Sequence, residues 1–224
     1  MAITIHHLNN SRSQRVLWLL EELGLDYEVK RYERDAETML APPELKQVHP
    51  LGKSPVIEDG GRIYAETGAI VEHLIETYGE GRLVPEKGTP AFDAYRYFLH
   101  YAEGSAMPPL LMKLVFTRMG ETGGPALLRP ITKAIADGAL KSFVNPQLEN
   151  HMRYWEGALA ETGWFASGEI SGADIMMSFP LEAAATRAGL DVRYPNCKAF
   201  LKRIHARPAY QKAIEVGGAY LYGG

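Results

Sequence analysis

The stretch GKSPVIEDGGRIYAETGAI, residues 52–70, decides how the chain folds. Its first three letters look like the tail of a nucleotide phosphate loop, which needs a glycine five residues earlier and a helix directly afterwards. The fifth residue before Gly52 is Gln47, and Ser54 is followed by Pro55-Val56-Ile57, an apolar, partly β-branched run that reads as a strand. The phosphate reading therefore fails on spacing and on context. Asp59-Gly60-Gly61 then supplies a turn and Arg62-Ile63-Tyr64 a second strand, so the segment is an antiparallel hairpin. From Glu66 to Tyr78 the apolar positions Ile70, Val71, Leu74, Ile75 and Tyr78 recur at three- and four-residue steps, predicting a helix that Gly79 ends.

Upstream, Ile3 to Leu8 is a short β-type run closed by the turn formers Asn9-Asn10-Ser11. Gln14 to Leu23 predicts a helix that is apolar over most of its girth, with Gly24 at its C-terminal stop. Leu25 to Lys30 alternates with period two, the pattern of a half-covered strand. This βαβ opening, completed by the hairpin and the helix after it, predicts a small α/β unit with a four-stranded mixed sheet over residues 1–80. Residues 81–90 are rich in Gly, Pro and charge and read as a linker.

Residues 91–224 carry helical signals and almost no alternation. Asn145-Pro146 has the form of an N-cap followed by proline at the first helical position, and Leu148, Met152, Trp155 and Leu159 follow along one face. Ser171 to Asp174 has capping-box form with Asp in place of Glu or Gln, which we read as structural. Tyr194-Pro195 opens a further helix and Arg207-Pro208 punctuates its end. The expected fold is an α/β N-terminal domain followed by an all-α C-terminal domain.

The 224 residues are 46% hydrophobic and 23% charged, as in ordinary soluble globular proteins. With a net charge of −3 there is no basic footprint for nucleic acid. Cys197 is the only cysteine, so intramolecular disulfides and CxxC redox chemistry are excluded, which fits a reducing cytoplasm. Met1 to His7 lacks the pattern of a signal peptide. The most apolar later window, Ala106 to Phe116, is interrupted by Pro108-Pro109 and Lys113, so no membrane span is expected. Adjacent His6 and His7 point to opposite strand faces and cannot chelate one ion, so no metal is expected. Cys197 reads as structural.

Five ordered fragments then give a specific resemblance. They are Ser11-Arg12-Ser13-Gln14-Arg15 before a Leu-rich helix, His49 to Val56, Ala65 to Ile70, Ser171 to Ile175, and Arg207-Pro208-Ala209. Together with the α/β-then-α division, they resemble the cytosolic glutathione S-transferase superfamily over essentially the whole chain, its serine-type, theta-like bacterial members in particular. The resemblance implies a thioredoxin-like N-terminal domain, glutathione as co-substrate, and a homodimer.

It also implies site residues. Ser11, at a strand-to-helix turn, aligns with the serine that stabilises the glutathione thiolate, although the same letters suit a helix cap, and Asn10, Arg12 and Ser13 stand close enough to share the role. Pro55 corresponds to a proline with a cis peptide bond, before which Ser54 offers its backbone to the cysteinyl part of glutathione. Glu66 and Thr67 open a helix whose free N–H groups suit the γ-glutamyl end, and Lys53 reaches toward the glycyl carboxylate or simply lies in solvent. Tyr101, Met107 and Leu111, with the terminal Tyr220 and Tyr222, are expected to form the surface for a small hydrophobic electrophile. The implied activity is conjugation of glutathione to such an electrophile. The alternatives are glutathione-dependent peroxide reduction and a binding module that has lost turnover.

Overall fold

The structure is a computed structural model that describes residues 2–223. The N-terminal part runs β1 (Ile3–Leu8), α1 (Ser13–Leu23), β2 (Tyr27–Tyr32), α2 (Leu45–Val48), β3 (Val56–Asp59), β4 (Arg62–Ala65) and α3 (Thr67–Tyr78). Its sheet has the order β2-β1-β3-β4. β1 lies parallel to β2, while the β3–β4 hairpin joins antiparallel with His6 opposite Val56 and Val56 opposite Ala65. The second part is helical: α4 (Pro90–Tyr101), α5 (Met107–Thr122), α6 (Arg129–Ala139), α7 (Asn145–Ala158), α8 (Gly172–Arg187), α9 (Pro195–His205) and α10 (Pro208–Gly217). The expected thioredoxin-like unit and mostly helical domain are both present.

Helix α1 is the hub. Val16, Leu17, Trp18, Leu19 and Leu20 are all fully buried, because α1 packs on α3, α8 and α10 as well as on the sheet. The all-round apolar pattern of its sequence is the signature of a helix enclosed on every side. Gly217 of α10 is required by this packing, since a Cβ there would strike the Gln14 side chain and lie 3.1 Å from Leu17. One continuous hydrophobic core runs through both parts.

Two sequence expectations need correction. The second strand is Tyr27–Tyr32 rather than residues 25–30, because the chain is still leaving α1 at Leu25. The N–H of Leu25 reaches the Leu20 carbonyl, and Gly24, at φ 69°, reaches Glu21. Helix α7 begins at Asn145 as expected, but Asn145 does not cap it. The helical path continues from α6 through a π turn at Leu140–Val144, and Asn145 Oδ1 accepts instead from Lys113 Nζ at 2.9 Å. A similar π turn, Ala102–Ala106, precedes Pro108-Pro109. In each, an N–H reaches back five residues, Met107 to Ala102 and Asn145 to Leu140, just before prolines that have no N–H to give.

Candidate functional site

Three segments reach the same rim of the sheet. β1 ends at Leu8 and leads into the Asn9–Arg12 turn, while the pairing of His6 with Val56 brings Ser54 and Pro55 beside the end of β1. The pairing of Val56 with Ala65 brings Glu66 beside Pro55. The Ser54–Pro55 peptide bond is cis, matching the implied geometry. Ser54 fastens its loop to β1: its hydroxyl donates to the His6 carbonyl at 2.8 Å and accepts from the Leu8 N–H at 3.2 Å.

Glu66 is exposed and holds φ at 71°, a conformation that costs a non-glycine residue on the order of 1–3 kcal/mol. Such a residue is kept where its position is worth the strain. Thr67 behind it is buried, and the first bond of α3 runs from Ile70 N–H to Glu66 O at 3.0 Å. The N–H groups of Thr67, Gly68 and Ala69 therefore have no partner within the helix, leaving an anion-seeking terminus. Lys53 is exposed on the loop before Ser54.

The Ser11 turn is held from inside. Ser11 is 5% exposed; its hydroxyl donates to the Leu8 carbonyl at 2.7 Å, and its oxygen accepts from Ser13 N–H at 3.2 Å. Its Oγ also lies 2.8 Å from Ser13 Oγ, which in turn lies 2.8 Å from His7 Nδ1. Burial pushes the His7 pKa down to about 4, so its ring is neutral. The Ser13 hydroxyl also donates to the Leu8 carbonyl, at 3.2 Å. Asn10, at φ 49°, accepts the Leu221 N–H on its Oδ1 at 2.8 Å, so the C-terminal segment crosses this turn.

A charge cluster missed in the sequence stands beside the turn. Arg12 Nε lies 2.9 Å from Glu103, and buried Arg15 pairs with the same carboxylate while donating to the Met176 carbonyl at 2.6 Å. Burial alone would raise the Glu103 pKa, but Arg15 and Arg12 outweigh it and hold the carboxyl below its ordinary value. Glu103 lies in the π turn between α4 and α5, the kind of irregularity that often re-aims a functional side chain. The pair Arg12 and Arg15, three residues apart at a helix start, was the available sequence signal. Nothing local marked Glu103.

The residues expected to receive a second substrate are divided. Tyr101 and Met107 are core residues, and only Leu111 is exposed, at 52%. The Tyr101 hydroxyl accepts from Trp155 Nε1 at 3.0 Å and bonds His151, and burial pushes its pKa up to about 12. Tyr220 donates to the buried carboxylate of Glu182 at 2.7 Å, whereas Tyr222 is half-buried against Phe179. Two clefts lie elsewhere. One, of about 470 Å³, includes Arg82, Arg207 and Ser171, and the other, of about 330 Å³, includes Lys113, Glu149 and Arg193; neither contains Ser11, Ser54 or Glu66.

Fold and site together define a two-part protein, a thioredoxin-like unit with a helical domain, whose cis-proline loop, strained acidic residue and serine turn share one rim. The family model for the glutathione S-transferase N-terminal domain matches residues 2–76, and that for the C-terminal domain matches residues 128–215. Glutathione S-transferase 1 of Saccharomyces cerevisiae is 34% identical over 95% of this chain and 94% of its own. Glutathione S-transferase 3 of Schizosaccharomyces pombe is 34% identical over 95% of this chain and 87% of its own. A crystal structure of a glutathione S-transferase from Actinobacillus pleuropneumoniae superposes with a TM-score of 0.81 at 36% identity, covering 98% of this chain and 94% of that one. The chain belongs to the glutathione S-transferase family.

Proposed function

We propose that this enzyme takes glutathione as co-substrate across the three converging segments, ionises its thiol, and transfers the sulfur to a small electrophile with a hydrophobic body. Family membership supports the reaction class, and the convergence of Ser11, Ser54 and Glu66 at one rim carries the site. In this reading the backbone of Ser54 pairs with the cysteinyl unit, Glu66 and Thr67 hold the γ-glutamyl end, and Lys53 meets the glycyl carboxylate. A glutathione S-transferase structure from Phanerochaete chrysosporium was obtained with oxidized glutathione, and at 19% identity it shares the fold with a TM-score of 0.76.

A cysteine-type thiol has a pKa near ~8.5, so a neutral solution holds it mostly protonated. A hydroxyl hydrogen bond and the positive end of α1 both favour the thiolate. The Ser11 proton points at the Leu8 carbonyl, so its catalytic role requires that proton to swing to the sulfur while the oxygen keeps the Ser13 N–H. The same inward bond supports a second reading, in which Ser11 is a cap and Asn10 or a first-turn N–H stabilises the sulfur.

Steady-state conjugation separates the two. On the first reading Ser11→Ala lowers kcat/KM by about a hundredfold, the usual scale for removing one preorganised donor, and moves the rising limb of the pH profile upward. On the second, both stay near wild type.

A further inference from the structure

Beside the Ser11 turn, Phe179 and Tyr222 place their rings 5.4 Å apart. Arginines border this aromatic pair. The Arg12 guanidinium lies 5.5 Å from the Phe179 ring and buried Arg15 lies 5.8 Å from it. Arg187 lies 4.9 Å from the Tyr222 ring and donates to its hydroxyl. Arg34 enters from the loop after β2: its N–H donates to Asn9 Oδ1 and its Nη1 to the Met39 carbonyl, both at 3.0 Å. Tyr222, Arg12 and Arg118 of α5 are all within electrostatic reach of the Arg34 guanidinium.

Counter-charge is scarce. Glu103 is shared between Arg12 and Arg15. Asp35, next to Arg34, turns Oδ1 to Glu37 and Thr38 of its own loop. Among the described residues the ion pairs leave out Arg34, Arg118 and Arg187. Arginine stacking on an aromatic ring is common packing, and for one pair that would suffice. Here three arginines border two adjoining rings, and two of them share a single carboxylate, in a chain whose net charge is −3. Burial first, with Arg12 and Arg118 adding to it against the opposing effect of Tyr222, holds the Arg34 pKa below its ordinary value. A region of surface dominated by one sign of charge concentrates ligands of the other.

We propose that the arginine cluster around the half-buried Tyr222 selects electrophiles carrying an anionic group, a carboxylate or sulfonate, on the body that meets that ring. The inference rests on the conjugation reading above and narrows its substrate class. The bond change is that of ordinary aromatic substitution. The thiolate sulfur supplies the electron pair for a new C–S bond, the carbon–halogen bond breaks, and halide leaves with its pair; the thiol proton has already passed to solvent. The anionic group orients the ring through the planar guanidinium donors and takes no part in the exchange.

The test compares a chlorodinitrobenzoate with its neutral methyl ester, each rate divided by its uncatalysed rate with glutathione. The acid is expected to exceed the ester in normalised kcat/KM by about tenfold, a preference that declines with added salt. In Arg118→Gln and Arg34→Gln the ratio falls toward one. Equal ratios in wild type overturn the inference, as does a raised KM for glutathione in both variants with the ratio unchanged, because the arginines then serve the glutathione carboxylates. Calorimetric binding of an unreactive nitrobenzoate and its ester, with glutathione present, keeps the two claims apart. Tighter benzoate binding without turnover of either electrophile supports the anion site and removes the conjugation reading. Equal binding removes the anion site.

Discussion

Arg15 is enclosed by protein and tolerated because Glu103, 88 residues further along, meets its charge from the π turn. Removing one partner of such a pair leaves an uncompensated charge, so Glu103→Gln is expected to destabilise by about 2–4 kcal/mol in denaturant titration, less than a fully enclosed pair because Glu103 is a third exposed. The folded state lowers the Glu103 pKa, so its contribution is complete above the unfolded value near ~4.3 and is lost as pH falls through the lower folded value. Wild type and variant should therefore converge in acid; a gap that stays constant there contradicts the assignment. At this scale the sequence was half legible. Ser11, Ser54, Pro55, Glu66 and Thr67 lie on short local motifs, and the structure puts them on adjoining segments. Glu103 and the tail contact from Leu221 to Asn10 depend on separations of 91 and 211 residues, which no local pattern encodes.

Among the elements, α8 shows how a cap written in four letters holds a buried helix. Asp174 accepts from the Ser171 N–H at 2.8 Å and the Phe165 N–H at 2.9 Å, and also takes the Ser171 hydroxyl at 3.0 Å. Asp174→Ala strands two buried backbone N–H groups and frees the Ser171 hydroxyl, and a loss of about 2–4 kcal/mol is expected from chemical unfolding. Burial raises the Asp174 pKa to about 6 against these hydrogen bonds. The folded pKa thus lies above the unfolded value near ~4, so the wild-type advantage over Asp174→Ala shrinks as pH rises from about 4 to about 6. An advantage that grows over that range would reverse the sign argued here. This box was legible because its partners are neighbours in the chain. The boundary at Leu25 and the uncapped start of α7 at Asn145 were not, because the exit from α1 and a π turn override the local signals of alternation and capping.

For the molecule as a whole, α1 ties the sheet to the helical domain, with Trp18 fully buried and Glu22 paired to Arg207 at the far end. A shared core predicts coupled unfolding even though the chain has two parts. Variants that keep only Trp18 in α1 or only Trp155 in α7 should report the same denaturant midpoint; separated midpoints would mean that the parts unfold independently. The division into α/β and helical parts was readable from the change in periodicity. The joint role of α1 was visible only as an unexplained apolar girth, since its partners α8 and α10 lie far along the sequence. The proposed glutathione site belongs to this junction, where the Ser11 turn meets Glu103 and the C-terminal segment. Its central claim is tested most directly by ultraviolet titration of enzyme-bound glutathione in wild type and Ser11→Ala. The account predicts a bound thiol pKa well below ~8.5 in wild type and a return toward that value in the variant. An unshifted thiol in wild type, or an equal shift in both proteins, would contradict it.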